Sequence, residues 1–273
     1  MNFKKLQIFV LAGAVSVGVV SCKKSESTSD QSNLVSKEVL SNISKLGFST
    51  ENVIARDGGY LVEGDILLTN ENFTSQSQSP NLRIAQDEQY RTTNLVNALP
   101  RVITVSVTNL TTAFSQAADL AISRYNAQNL RITFQRVASG GNIDIVGFNE
   151  AASGGYITLG SAGFPTSSGD PFNQIKMNTN VQAYGSNPDV NYVASVLTHE
   201  IGHCIGFRHT DYMARQYSCG GKRKVNEGTA GVGAILIPGT PSTPDAESWM
   251  LACSNGGNRL FNANDVIALN YLY

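Results

Sequence analysis

The chain of 273 residues holds three histidines, and all of them fall in THEIGHCIGFRHTD, residues 198–211, as His199, His203 and His209. On a helix, His199 and His203 stand one turn apart on one face, close enough to share a metal ion. Glu200, beside the first of them, can stand next to a water on that ion without becoming a ligand, which suits a general base. Gly206 accounts for the third histidine. A continuing helix would carry His209 away, whereas glycine accepts the left-handed conformation that ends a helix and turns the chain back. Three neutral imidazoles leave a tetrahedral zinc one open position, the mark of a catalytic site rather than a structural one. HExxH alone occurs on many unrelated helices, where two histidines are ordinarily surface residues; HExxHxxGxxH fixes five positions and is far stricter. Within the same stretch, Cys204 reads first as a small buried residue and only second as a ligand. Asp211 either orients an imidazole or caps a turn.

These residues need a scaffold. RVITVSV, just after Leu99, alternates so that Ile103, Val105 and Val107 share a strand face. Phe114, Ala117, Ala118, Ala121, Ile122 and Tyr125 recur at helical spacing, an apolar stripe that would lie on a sheet. LRITFQRV and NIDIVGF read as two more strands, with Leu130, Ile132 and Phe134 on one side. GGYITLG, residues 154–160, reads as a fourth strand and the candidate exposed edge, to which a peptide could add itself through main-chain hydrogen bonds. QIKMN is a short strand before a helix that opens near Asn187 or Asp189 and turns Val193, Leu197 and Ile201 to the core. NANDVIALNYLY closes the chain as a capped helix. The expected fold class is α+β, with a twisted mixed sheet.

The formal net charge is −1 and no basic stripe is present, so the electrostatic footprint of a nucleic-acid binder is missing. Residues 1–21 read as an export signal: Lys4 and Lys5 precede an apolar run from Leu6 to Val20 that is short for a membrane span. Val19-Val20-Ser21-Cys22 resembles a bacterial lipobox, which would make Cys22 the acylated first residue; a plain secretory signal cut nearby is the alternative. Residues 22–33 then form the lipidated cysteine and a polar tether. Residues 34–97 form a pro-segment or small N-terminal subdomain, with GYLVEGDILLT in it and a linker opening at TSQSQSPN. Residues 98–273 form the main domain. The expectation is an exported lipoprotein at the outer membrane or cell surface, monomeric and held to the membrane through Cys22, with release after processing as the alternative. Cys204, Cys219 and Cys253 remain, an odd number in an oxidising compartment; Cys219 is paired with Cys253 and Cys204 left free.

HEIGHCIGFRHTD resembles the extended zinc motif of the metzincin metallopeptidases, and its HEIGH wording is similar to the bacterial dual-action HEIGH (M57) family. The resemblance implies zinc ligands at His199, His203 and His209. It also implies that Glu200 polarises the attacking water and later passes its proton to the leaving amine. A metzincin-like fold would cover about Leu99 to Tyr273, with an active-site helix, a methionine turn and a C-terminal helix. Met213 follows His209 too closely for a returning loop, so Met250 in ESWMLAC is the candidate for the turn; an ordinary core methionine beside Trp249 is the alternative. Some relatives carry a tyrosine ligand two residues after this methionine. Ala252 stands there, and Tyr212 and Tyr217 are assigned no role. VEGDI, residues 62–66, is similar to the motif in astacin propeptides in which an aspartate occupies the open zinc position. Asp65 would then act as a latency switch, released by cleavage between Thr74 and Gln89. The same residues also suit an ordinary turn into a strand. A cysteine switch is excluded, because residues 34–97 contain no cysteine.

The function expected from these residues is a zinc-dependent endopeptidase that hydrolyses extended peptide or protein substrates with metal-activated water. The alternative is a surface binding or adhesion lipoprotein with a structural zinc. Glu200 argues against it, since a structural site has no use for an unligated carboxylate beside the open position.

Overall fold

The computed structural model describes residues 35–74, 89–153, 155–220, 234–241 and 245–273. The export signal, Cys22, the tether and residues 75–88 of the linker lie outside them. The first described segment forms its own small layer. Ser36 caps α1 (Lys37–Lys45), its hydroxyl accepting from the Val39 amide at 3.2 Å. Strands β1 (Ile54–Arg56), β2 (Gly59–Val62) and β3 (Ile66–Leu68) pair antiparallel in that order, and α2 (Asn70–Thr74) follows. Ile43, Leu46, Phe48, Val62, Ile66 and Leu68 bury against one another and against Phe164 of the following domain. Burying an aliphatic or aromatic side chain contributes roughly 1.5–3 kcal/mol, so this shared cluster holds the layer in place.

The main sheet is built from alternating residues. After β4 (Tyr90–Arg91) comes β5 (Arg101–Thr108), in which Ile103 and Val105 are buried and Val107 half-buried. Helix α3 (Thr112–Asn126) buries all six members of its expected stripe, Phe114 through Tyr125. Strands β6 (Ile132–Arg136), β7 (Ile143–Phe148), β8 (Gly160–Ser161) and β9 (Gln174–Asn178) complete a five-stranded sheet of order β6-β5-β7-β9-β8. All pairings are parallel except β8 with β9, so the sheet is mixed and β8 is its edge.

The strand expected over residues 154–160 is mostly loop. Its ladder with β9 covers Gly160 and Ser161 alone, which face Met177 and Lys176. The glycines at 155 and 160 weaken strand formation, and Asn178 donates its side-chain amide to Thr158 O at 2.9 Å. Three elements follow β9: α4 (Val181–Tyr184), α5 (Val190–Cys204) and α6 (Gln216–Cys219). Asp189 caps α5, accepting from the Tyr192 amide at 2.8 Å, and Val193, Leu197 and Ile201 are buried. β10 (Ile235–Leu236) pairs antiparallel with β4. The last helix, α7 (Ala263–Leu272), opens on a capping box formed by Asn262 and Asp265. Cys219 and Cys253 form a disulfide with Cα atoms 5.0 Å apart, and Cys204 is a free, buried thiol. Among the described residues no helix is long and apolar enough to cross a membrane.

Candidate metal centre

Helix α5 carries His199 and His203 on one face, and its end brings in the third imidazole. Gly206 has φ +107°, and the Phe207 amide returns to Gly202 O at 2.9 Å, which turns the chain back beneath the helix. A Cβ on Gly206 would stand 2.7 Å from Leu95 Cδ2 and 3.0 Å from Asn94 O, so glycine is required there for space as well as for conformation. His199, His203, His209 and Asp65 each offer one ligand atom, and these four atoms lie within 4.8 Å of one another.

The ring nitrogens face the way a metal requires. His199 Nδ1 lies 2.9 Å from Trp249 O and His203 Nδ1 2.8 Å from Phe207 O. A carbonyl only accepts, so each Nδ1 carries a proton and each Nε2 is the atom left to face the cluster. Both of those Nε2 atoms are buried without a hydrogen-bond partner, and so is Asp65 Oδ1. Burial, and then the charges of His199 and His209, hold the His203 imidazole well below its usual range, so it is neutral. Neutral imidazoles with orphaned, converging lone pairs fit a divalent cation.

Asp65 reaches this cluster from the tip of the β2–β3 hairpin. Its Oδ2 lies 3.1 Å from His209 Nε2 and 3.5 Å from His199 Nε2. Burial acts to raise its carboxyl, but His209, His199 and His203 outweigh that and hold it well below the usual carboxylate range. Residues 65–67 also occupy the sheet edge: Leu67 N donates to Ala162 O at 2.7 Å, and Ala162 N to Asp65 O at 2.9 Å. Glu63, on the same loop, accepts from Arg208 Nη2 at 2.7 Å, both side chains being fully buried.

Glu200 is 2% exposed and its Oε2 has no hydrogen-bond partner. Burial, and then the charge of Asp65, push its carboxyl well above the usual carboxylate range against the pull of His209. A Cβ on Gly160 would come 2.7 Å from Glu200 Oε1, so the edge strand needs glycine at the point where this carboxylate passes.

Met250 is buried under α5, where a Cβ on Gly202 would approach its Sδ to 2.6 Å, and its carbonyl accepts from Thr210 N at 3.0 Å. The same loop is fixed from below by Asp265. This carboxylate accepts from Trp249 N at 3.2 Å, Ser248 Oγ at 3.0 Å and Gln89 Nε2 at 2.6 Å, and burial raises it to about 6. Asp211 touches no imidazole. It accepts from Ala252 N at 2.9 Å and Ser218 Oγ at 2.6 Å, joining the two loops that the disulfide also joins. Tyr212 is buried edge-on against Tyr90, and Tyr217 is 45% exposed.

Sequence reasoning missed Gly160, Gly202 and Arg208. The signal for Gly202 was legible, since glycine inside a helix costs about 1 kcal/mol and marks a close approach. Nothing local marks the other two, whose partners come from distant parts of the chain.

Imidazoles that converge beside an unligated buried carboxylate are the donor set of a metal-dependent hydrolase. The family model described as dual-action HEIGH metallo-peptidase matches residues 60–273, and the chain belongs to that family. Among solved structures, two of myroilysin are similar. One aligns at TM-score 0.44 with 15% identity, over 66% of this chain and 96% of that one; the other aligns at 0.39 with 16% identity, over 66% and 86%. No curated protein matches the sequence.

Proposed function

We propose that the chain is a zinc endopeptidase made as a latent precursor, in which residues 35–74 close the site until cleavage within residues 75–88 frees it. The observation that carries this reading is the convergence of three imidazoles and Asp65 on one point, with Glu200 beside it. His199, His203 and His209 would hold the zinc, which when bound supplies a Lewis acid for the scissile carbonyl and the attacking water. Glu200 accepts the proton of that water at its carboxylate and returns it to the leaving amine. Trp249 O and Phe207 O hold the Nδ1 protons of His199 and His203 and so keep the lone pairs aimed inward. Ala162, whose main-chain groups bond to Asp65 and Leu67 in the precursor, takes the backbone of an extended substrate once the segment has left. Met250 supports α5 from beneath. The adhesion alternative leaves the buried carboxylate of Glu200 without a task.

The lipobox-like residues before Cys22 support export and anchoring at the outer membrane or cell surface, with residues 23–33 as the tether of a monomer. Incubating the processed protein with a peptide library tests the catalytic reading. Cuts should vanish with a chelator and return with zinc. Cuts indifferent to the chelator would contradict it.

A further inference from the structure

The loop Glu63-Gly64-Asp65 puts two carboxylates into the site, and Asp65 alone suffices to fill the metal position. Glu63 goes elsewhere. Its Oε1 takes a hydrogen bond from Arg208 Nη2 at 2.7 Å, and its Oε2 lies 3.6 Å from His209 Nδ1. Arg208 is completely buried, its guanidinium 4.2 Å from the ring centroid of Phe48 and 5.4 Å from that of Tyr212. A second cation flanks the same loop: Arg215 Nη2 would lie 3.2 Å from a Cβ on Gly64. Of these partners, Glu63 and Phe48 belong to residues 35–74, while Arg208, Arg215 and Tyr212 belong to the domain that stays behind.

A buried ion pair holds a segment no better than packed apolar residues of the same volume, so clamping alone does not explain an arginine next to the third histidine. The arrangement is explained if the cation has a partner after the segment departs. We propose that Arg208, flanked by Arg215, forms a subsite for a carboxylate side chain of the substrate, and that Glu63 fills it in the precursor. The inference rests on the peptidase and precursor reading above and adds to it a substrate class. Glu63 and Asp65 sit on one turn, with φ +56° at Glu63 and +92° at Gly64, and their carboxylates approach the two ring nitrogens of His209 at 3.6 and 3.1 Å, so the acidic residue falls close to the cleaved bond. The guanidinium fork then offers the incoming carboxylate the donor that Glu63 now uses.

The test uses the full zinc-loaded chain carrying an inserted protease site within residues 75–88 and cut in place. Matched peptides carry Glu, Gln or Lys at each position within two residues of the cleaved bond. Each ratio compares two peptides on one preparation, so any segment still associated cancels. The wild type should favour Glu over Gln by about tenfold in kcat/KM at one position, and Arg208→Gln should bring that ratio close to one. In the exchanged pair Arg208→Glu with Glu63→Lys, opposite charges still meet in the uncut chain, which guards against misfolding; its preference should move to Lys. Competition binding of non-cleavable Glu and Gln peptides to the metal-free cut chain should show the same order. A wild type without preference, or an Arg208→Gln ratio equal to wild type, overturns the proposal. If no form cuts any peptide, the peptidase reading fails, and the binding order alone then decides for or against the carboxylate subsite.

Discussion

Asp65 Oδ2 stands 3.1 Å from His209 Nε2, across 144 residues of sequence. The contact places a carboxylate where a fourth metal ligand belongs. Replacing Asp65 with Ala should therefore give the uncleaved chain at least tenfold more peptide hydrolysis than uncleaved wild type. Activity should stay below that of the processed protein, because Leu67 still bonds to Ala162 at the sheet edge. An uncleaved Asp65→Ala chain no more active than wild type would leave the carboxylate without a blocking role.

Gly160 and Gly206 should respond differently to alanine. At Gly160 the added methyl meets the far end of the flexible Glu200 side chain, which can move aside. The expected result is normal folding and metal content with kcat lowered about a hundredfold, the usual effect of misplacing a catalytic group by about 1 Å.

At Gly206 the methyl meets Asn94 O and Leu95 at a backbone conformation that L side chains rarely adopt. Gly206→Ala should cost about 2 kcal/mol or more in denaturant unfolding, and metal affinity should fall with it.

Asp265 gives a pH dependence. Its carboxyl is raised by burial to about 6 in the folded chain, against about 4 when unfolded. The fold thus favours the protonated form, and the stability this group allows is complete below about pH 4 and is lost as pH rises through 6. The loss is on the order of 3 kcal/mol. Asp265→Asn should remove that fall from the unfolding free energy measured between pH 4 and 7. An identical slope in both proteins would mean that the group titrates normally.

Local periodicity made much of this fold readable. The stripe from Phe114 to Tyr125 and the alternation of Ile103, Val105 and Val107 each depend on one element facing one core, and both appear as expected. The cap at Asp189 and the box at Asn262 and Asp265 are equally local. GGYITLG departs from the expected strand because the Asn178 side chain takes Thr158 O and the ladder with β9 begins only at Gly160. Residues 34–97 read as a pro-segment or small subdomain, but the three-stranded layer over residues 54–68 carries no periodic signal, since its strands are short and its core is completed by Phe164 from far along the chain. Within the site, spacing on one helix and one turn brought out the histidines. Arg208 gave no such signal, because its meaning lies in Glu63, 145 residues away.

The central claim is that three imidazoles hold one divalent ion and that Glu200 moves the proton beside it. Metal content and peptide hydrolysis, measured together on processed wild type and Glu200→Gln, test it most directly. One zinc per chain is expected in both proteins, with hydrolysis in the variant lowered by about two to four orders of magnitude. Hydrolysis at the wild-type rate in Glu200→Gln, or full activity in a protein that binds no metal, would contradict the account.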